Sequence, residues 1–194
     1  MSRLLGAFWY RVRPGFTLSC VDHADERLQE LILYIAGSLS DDPQFGLTKL
    51  NKVLWTADFR MYGLTGSSIT GQEYQKIKHG PAPRRLMPAL DRLGGQGKVK
   101  LRLEIRGIYV QKRLVALKGA RLDDFTNAEI AVVDKAIDAM RGLSNKEASD
   151  LSHKFPGWKA REMGETIPYS TIFVSTRLLS EREREIGRQL ARCV

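Results

Sequence analysis

A strict alternation of apolar and charged residues runs through KVKLRLEIR, residues 98–106. This period of two predicts a half-buried strand, because successive side chains of a strand point to opposite faces. The apolar positions would then form an inner face, with a basic outer face at Lys98, Lys100 and Arg102. Since a glycine turn and more apolar residues follow, the stretch predicts an antiparallel hairpin around residues 98–117.

The sequence on both sides of this hairpin is typical of helices. Apolar residues recur at helical spacing from Asp22 to about Gly37 and over residues 47–62. A short helix is expected through Leu86, Leu90 and Leu93. Ser/Thr-x-x-Glu capping boxes predict further helices near residues 71–79, 127–141, 145–155 and 181–192. We therefore predict a mainly helical α+β single domain, with six to seven helices and one small antiparallel sheet packed on them.

The length of 194 residues fits one domain with appendages. We assign residues 21–176 to the domain, 1–20 to an N-terminal arm and 177–194 to a C-terminal helix. Three interpretations stay open for the arm: an ordered segment, an assembly contact, or residues that precede the true start. No apolar run approaches the roughly 18 residues of a membrane helix. The two cysteines, near opposite ends, suggest no disulfide framework, so we expect a reduced, cytoplasmic protein.

Positive charge is concentrated in one internal segment. The formal net charge is +9, and residues 71–121 hold thirteen of the 31 Lys and Arg residues but only three of the 22 acidic residues. The field of such a segment attracts nucleic acid or an acidic protein surface. The candidate partner-binding residues are Lys76, Lys78, Arg84, Arg85, Lys98, Lys100 and Arg102.

The sequence contains no recognisable catalytic or cofactor-binding motif. GxGxxG, P-loop and HExxH patterns are absent, and the three histidines have no metal-ligand partner at the usual spacing. Ser152 and His153 are adjacent on a predicted helix and point about 100° apart, so they cannot act as nucleophile and base. We expect no enzymatic activity, no cofactor and no metal. A hydrolase that uses His153 ranks last among the alternatives.

Several motifs between residues 47 and 170 resemble those of a known family. They are LTKLNKVLWTADF (47–59), Tyr74 followed by KHGPAP (78–83), Ser152-His153 with Gly157-Trp158, and GETIPY (164–169). Their order and spacing resemble the Panacea domain family, also called the SocA-like antitoxin domain, whose members are frequent in phages and mobile elements. The motif residues that we interpret as mainly structural are Trp55, Asp58, Tyr74, Gly80, Pro81, His153 and Trp158.

The resemblance implies an antitoxin of a toxin–antitoxin module. Members of the family neutralise unrelated toxins by direct binding, and the founding type delivers its toxin to an ATP-dependent protease. A cognate toxin and such a protease are therefore the expected partners. The alternative is a nucleic-acid-binding protein of a phage or mobile element, in which the basic strand face would track phosphates. Stacking aromatic residues are absent from that face apart from Tyr109, so we prefer a protein partner.

Overall fold

The computed structural model describes residues 18–106, 109–175 and 180–191. Within these ranges the chain forms seven α-helices, one 3₁₀ helix and five strands, which confirms the mainly helical α+β class. The elements are α1 (Leu18–Ser38), α2 (Leu47–Thr65), β1 (Tyr74–Ile77), β2 (Gly80–Pro83), α3 (Leu86–Gly95), β3 (Val99–Arg106), β4 (Tyr109–Ala116), α4 (Asn127–Met140), α5 (Asn145–His153), α6 (Pro156–Lys159), β5 (Thr166–Ile167), the 3₁₀ helix (Tyr169–Phe173) and α7 (Glu181–Ala191).

The predicted hairpin is confirmed. β3 and β4 pair in antiparallel fashion from Val99 opposite Ala116 to Arg106 opposite Tyr109, and they form a two-stranded sheet of their own. Val99 is buried against the helices. The base of the hairpin is thereby attached to the helical body, as expected for a sheet that is too small to be stable alone.

A second small sheet lies where the sequence predicts a helix over residues 71–79. β1 pairs with β2 on one side and with β5 on the other, both in antiparallel fashion. The prediction is wrong because the hydroxyl of Thr70 does not cap a helix: it donates to Asp58 at 2.5 Å. Glu73 forms an ion pair with Arg84 instead of completing a capping box. The segment therefore continues as the strand that buries Tyr74.

Three other helix starts agree with their capping boxes. Thr126 and Glu129 cap α4 reciprocally, Ser144 and Glu147 do the same for α5, and Ser180 and Glu183 do so for α7. Each box satisfies two backbone N–H groups that lack a partner inside the helix. At its C-terminus, α2 continues past the predicted stop at Gly63 and ends at Thr65, followed by the capping residue Gly66 with a φ of +79°.

The interior has two parts. The larger cluster packs α1, α2, α3 and α4 around such residues as Leu31, Leu50 and Val133. The smaller part, here called the aromatic cluster, consists of the buried residues Phe59, Tyr74, Phe155 and Ile167, with Trp55, Trp158, Tyr169 and Ile172 at its margin. The aromatic cluster joins α2 to the three-stranded sheet and to α6. The aromatic residues of the motifs thus pack in or beside the interior.

The predicted domain boundaries divide the chain into residues 1–20, 21–176 and 177–194. Residues 1–17 of the expected N-terminal arm lie outside the described residues, and the division into arm, domain and C-terminal helix stays a prediction. The described helix α7 lies inside the expected 177–194 segment. Among the described helices, none combines the length and apolar content that crossing a bilayer requires.

Candidate functional site

Asp58, on α2, lies at the centre of a buried hydrogen-bond network. Its carboxylate accepts hydrogen bonds from the Thr70 amide at 2.8 Å, from the Thr70 hydroxyl at 2.5 Å and from the Tyr74 hydroxyl at 2.7 Å. Burial raises the pKa of Asp58, while the donors from Thr70 and Tyr74 oppose that rise by stabilising the ionised form. The network fixes the entry of the chain into β1, and a structural role for Asp58 and Tyr74 stays a prediction.

Lys52 is a fully buried amine without a carboxylate partner among the described residues. Its side chain has no exposed surface, and its Nζ donates to the carbonyl of His79. Burial lowers the pKa of Lys52 to about 7, because the charged form is poorly solvated there. Lys49, one turn earlier, is equally buried but forms an ion pair of 2.6 Å with Asp42.

Gly80 is the residue that lets β2 pass directly over Lys52. A Cβ atom at this position would overlap both Lys52 Nζ and Ser152 Oγ. Its φ of +110° is also a conformation that side chains with a Cβ rarely adopt. Two independent constraints, space and backbone conformation, thus require glycine in the Gly80-Pro81 motif.

His153 and Trp158 stack on each other. Their ring centroids are 4.1 Å apart and the ring planes differ by 16°. On Trp158, Lys76 Nζ lies 4.2 Å from the ring centroid, and the indole N–H donates to the Ile77 carbonyl at 3.2 Å. Burial and then the neighbouring charge of Lys52 lower the pKa of His153. This arrangement ties α5 and α6 to β1.

The remaining members of the Ser152-His153 region have partners of their own. Ser152 is fully buried, and its hydroxyl donates to the Ser149 carbonyl at 2.8 Å. Asp150 is exposed and forms an ion pair with Lys146 at 2.9 Å. In this described part of the chain, no hydrogen bond joins Ser152 to His153 as a nucleophile is joined to its base. No group of three metal-ligating side chains is found among the described residues.

The far end of the β3–β4 hairpin exposes the apolar face that the sequence predicts to be buried. The exposed fraction is 69% for Leu103, 82% for Ile105 and 59% for Val110. Val99, near the base, is buried as expected, and Leu114 of β4 is buried as well. The predicted inner face is therefore wrong beyond the first residues of β3, and an apolar strip lies open to solvent.

Beyond the base of the hairpin, the other face of β4 contacts the helical body. Gln111 Nε2 donates to the Phe45 carbonyl at 2.6 Å, and Arg113 donates to the carbonyls of Asp42 and Ser40 at 2.9 and 2.6 Å. These bonds to the loop between α1 and α2 hold the polar side of β4 inward. The alternation in the sequence cannot reveal this, because it shows that two faces differ without showing which one meets the body.

The predicted partner-binding cations fall into two groups. Three of them have partners within the fold: Lys76 donates to the Arg161 carbonyl, Arg84 to the Gly164 carbonyl, and Arg85 forms an ion pair with Asp25. No ion pair is formed, within the ranges that the structure describes, by Lys78, Lys98, Lys100 or Arg102. Their role in partner binding stays a prediction, and we name as the hairpin surface the exposed residues Lys100, Leu101, Arg102, Leu103, Ile105, Val110 and Lys112.

The fold and these positions define a small α+β domain in which the motif residues build the interior and the hairpin surface is left open. Residues 50–159, more than half of the chain, match the family described as antitoxin SocA-like, Panacea domain. The chain belongs to this family, as the motifs predict. The family supports an antitoxin role and a toxin partner in general terms. Searches of curated proteins and of solved structures find no match.

Sequence reasoning missed the two buried lysines of α2. Lys49 and Lys52 occur in a helix whose residues from Lys49 to Leu54 are all buried. Lysine is usually exposed, and a single sequence offers no signal that separates these two from surface lysines. The exposed apolar strip of β3 was missed for the same kind of reason.

Proposed function

We propose that this chain is an antitoxin that neutralises its cognate toxin in the cytoplasm by binding it directly, without chemical turnover, through the hairpin surface. The observation that carries the proposal is the exposure of Leu103, Ile105 and Val110 on a hairpin whose cations Lys100 and Arg102 form no ion pair with any described residue. Such a strip would be an aggregation hazard if no partner covered it.

The composition of the hairpin surface suits a protein partner. Desolvation of apolar side chains supplies much of the free energy at the centre of an interface, and charges at the rim accelerate association with an oppositely charged surface. Leu103 and Ile105 would form the centre, and Lys100 and Arg102 the rim. An acidic toxin surface with apolar residues at its centre is the complementary partner.

The polar groups of the motif support a role without catalysis. Ser152 is buried beneath Gly80, Asp58 is fully enclosed by its donors, and Lys52 has no exposed surface. A nucleophile or base must reach its substrate within hydrogen-bonding distance. We therefore infer that these groups maintain the fold on which the hairpin surface is presented.

Co-expression with the product of the adjacent gene tests the proposal. The expected result is that growth inhibition by that product is relieved and that the two proteins co-purify. Leu103→Glu with Ile105→Glu should abolish rescue, because acidic groups would replace the apolar centre. A matched control is Leu64→Glu with Met163→Glu, since these residues are also exposed and apolar but lie on other elements. The control should rescue growth like the wild type.

Two results would contradict this proposal. If both proteins are soluble but neither co-purify nor restore growth, direct neutralisation of that toxin is refuted. If the hairpin variant and the control variant rescue growth equally well, the hairpin surface is not the binding site.

We further infer, from the family resemblance, that the complex is delivered to an ATP-dependent protease. A pulse-chase measurement of toxin half-life, with and without this protein, tests that step. A toxin that is neutralised but equally long-lived in both cases would refute delivery and leave direct binding in place.

A further inference from the structure

The outer edge of β3 presents backbone groups that no described strand uses. Leu117 donates its N–H to the Lys98 carbonyl at 2.8 Å, which places these two residues at a hydrogen-bonded position of the ladder. Because bonded and non-bonded pairs alternate in an antiparallel ladder, the N–H and C=O groups of Leu101, Leu103 and Ile105 point away from β4. Over the described ranges, none of these groups has a backbone partner outside the hairpin.

The opposite edge of the hairpin is already covered. The carbonyl of Lys112 points outward from β4, and Gly46 lies so close to it that a Cβ there would come within 2.8 Å of the oxygen. The neighbouring side chain of Gln111 donates a hydrogen bond to the Phe45 carbonyl and so holds this part of β4 against the loop between α1 and α2. Between the two edges, the one formed by residues 101–105 of β3 is therefore the edge open to a partner.

The side chains of β3 specify what an added strand should contain. Leu101, Leu103 and Ile105 are exposed on one face, while Lys100 and Arg102 lie on the other without ion pairs in the described chain. Side chains directly opposite each other in neighbouring strands interact, and opposite charges across a pair are stabilising. A complementary strand would therefore alternate apolar and acidic residues.

We propose that the toxin binds by adding an extended segment of alternating apolar and acidic residues to the edge of β3, as a third strand of this sheet. The proposal rests on the proposed function, since it describes how the same toxin engages the hairpin surface. Backbone hydrogen bonds at Leu101, Leu103 and Ile105 would supply much of the affinity. The alternating side chains would supply the specificity.

A second copy of this chain fits the edge poorly. Antiparallel pairing of two β3 strands centred on Leu101 would place Lys100 of one copy opposite Arg102 of the other. Like charges directly opposite each other destabilise a strand pair. Glu104, the acidic residue on that face, is already paired with Arg113 at 3.7 Å. The charge of β3 therefore favours an acidic partner over self-association.

Amide hydrogen exchange measured by NMR tests the proposal residue by residue. The samples are the free full-length protein and its co-purified complex with the adjacent gene's product. The amides of Leu101, Leu103 and Ile105 should exchange fast in the free protein and at least about tenfold more slowly in the complex. Those of Lys100 and Arg102, which point toward β4 in both samples, should change far less.

Every other outcome of the exchange experiment contradicts strand addition. A neutralising complex in which the three amides stay unprotected would overturn strand addition and leave the proposed function intact. Slow exchange in a free monomer would show that another part of the chain covers the edge, and slow exchange in a free dimer would show that a second copy does. Either result overturns the proposal. If no complex forms at all, both proposals are refuted.

Two substitutions at Leu103 provide an independent test. Leu103→Pro removes an N–H that points away from β4, so the ladder of the hairpin keeps its bonds. Leu103→Thr removes the same apolar side chain but keeps the N–H and suits a strand. The proline variant should bind the toxin at least about tenfold more weakly than the threonine variant. Equal affinities of the two folded variants would overturn strand addition, and if the proline variant does not fold, the exchange measurement decides.

Discussion

The hydroxyl of Tyr74 on β1 donates a hydrogen bond of 2.7 Å to the carboxylate of Asp58 on α2, and both side chains are buried. The bond links the longest helix of the motif to the first strand of the three-stranded sheet. Thr70 adds two more donors to the same carboxylate. A buried carboxylate needs such donors, because its desolvation is otherwise costly.

Tyr74→Phe should destabilise the protein by about 1–3 kcal/mol, since it leaves a buried acceptor with one donor fewer. The measurement is urea-induced unfolding at neutral pH. Tyr62→Phe is the control, because Tyr62 is half-exposed and its hydroxyl forms no hydrogen bond in the described structure. That control should stay within about 0.5 kcal/mol of the wild type. Equal stability of all three proteins would show that the Asp58 network does not contribute to folding.

Gly80→Ala should be among the most damaging single substitutions in the domain. The added Cβ would overlap Lys52 Nζ and Ser152 Oγ, and the φ of +110° would be strained for any residue with a side chain. Overpacking and backbone strain each cost about 1–3 kcal/mol, so the free energy of unfolding should fall by roughly 2–6 kcal/mol. Gly94→Ala, at a position with open space and no unusual φ, is the matched control and should be nearly neutral. A small effect at both sites in thermal unfolding would contradict the proposed role of Gly80.

Lys52 should make the stability of the protein depend on pH between about 7 and 10. In the native state burial lowers the pKa of Lys52 to about 7, whereas the amine of the unfolded chain stays charged up to about pH 10.4. The unfolded state therefore binds one proton more in this window, and stability rises with pH. Below pH 7 the amine is charged in both states, and the dependence ends.

Comparison with Lys52→Met isolates this effect. Between pH 7 and 10 the wild type should gain about 1.4 kcal/mol per pH unit relative to the variant, measured by urea unfolding at each pH. Lys135→Met controls for loss of a charge at an exposed position and should follow the wild type. Parallel curves for the wild type and Lys52→Met would refute a neutral buried amine.

The capping boxes show how far the sequence alone could predict this fold. Thr126 with Glu129 and Ser144 with Glu147 start helices because their reciprocal cap bonds form, even though Arg27 also binds the second carboxylate oxygen of Glu129. Thr70 with Glu73 has the same pattern, but Asp58 takes the Thr70 hydroxyl and a strand results. The competing partner is distant in sequence, so no local pattern reveals it.

The sequence likewise predicted one part of the candidate site and missed another. The motifs identified the family and the aromatic interior, and the period of two predicted the hairpin. The exposure of Leu103 could not be predicted, because it depends on how the bonds of Gln111 and Arg113 to the loop between α1 and α2 orient the whole sheet. Burial of Lys52 likewise depends on the path of β2 over it.

Trp158→Ala should lower the melting temperature and weaken toxin neutralisation together. The substitution removes the ring that stacks on His153 and contacts the Lys76 amine. It also removes the hydrogen bond to the Ile77 carbonyl. Since the ring is only partly buried, the loss should reach at most about 3 kcal/mol. His153→Gln should reduce stability modestly. A hydrolytic activity that copurifies with the protein and disappears in His153→Gln at unchanged stability would contradict a structural role.

Charge reversal on β3 should weaken toxin binding in a way that depends on salt. Lys100→Glu with Arg102→Glu changes two exposed cations that form no ion pair in the described part of the chain, and it leaves the buried base of the hairpin at Val99 untouched. If the toxin presents acidic groups there, association should slow markedly at low salt and less at high salt, because added ions screen the attraction. Surface plasmon resonance at several salt concentrations measures both rates.

Lys135→Glu with Lys154→Glu is the matched control, since it lowers the formal net charge from +9 to the same +5 at exposed sites outside the hairpin. An equal loss in both variants would mean that overall charge, and not the hairpin, determines association.

Titration of the free wild-type protein with mixed nucleic acid tests whether the partner is a nucleic acid instead of a protein. Binding to nucleic acid would give log affinity falling against log salt with a slope of about −0.7 to −0.9 per phosphate contacted. We expect only weak attraction there, because affinity for single strands also needs aromatic residues on which bases stack, and the exposed cations Lys100 and Arg102 alternate instead with Leu101 and Leu103.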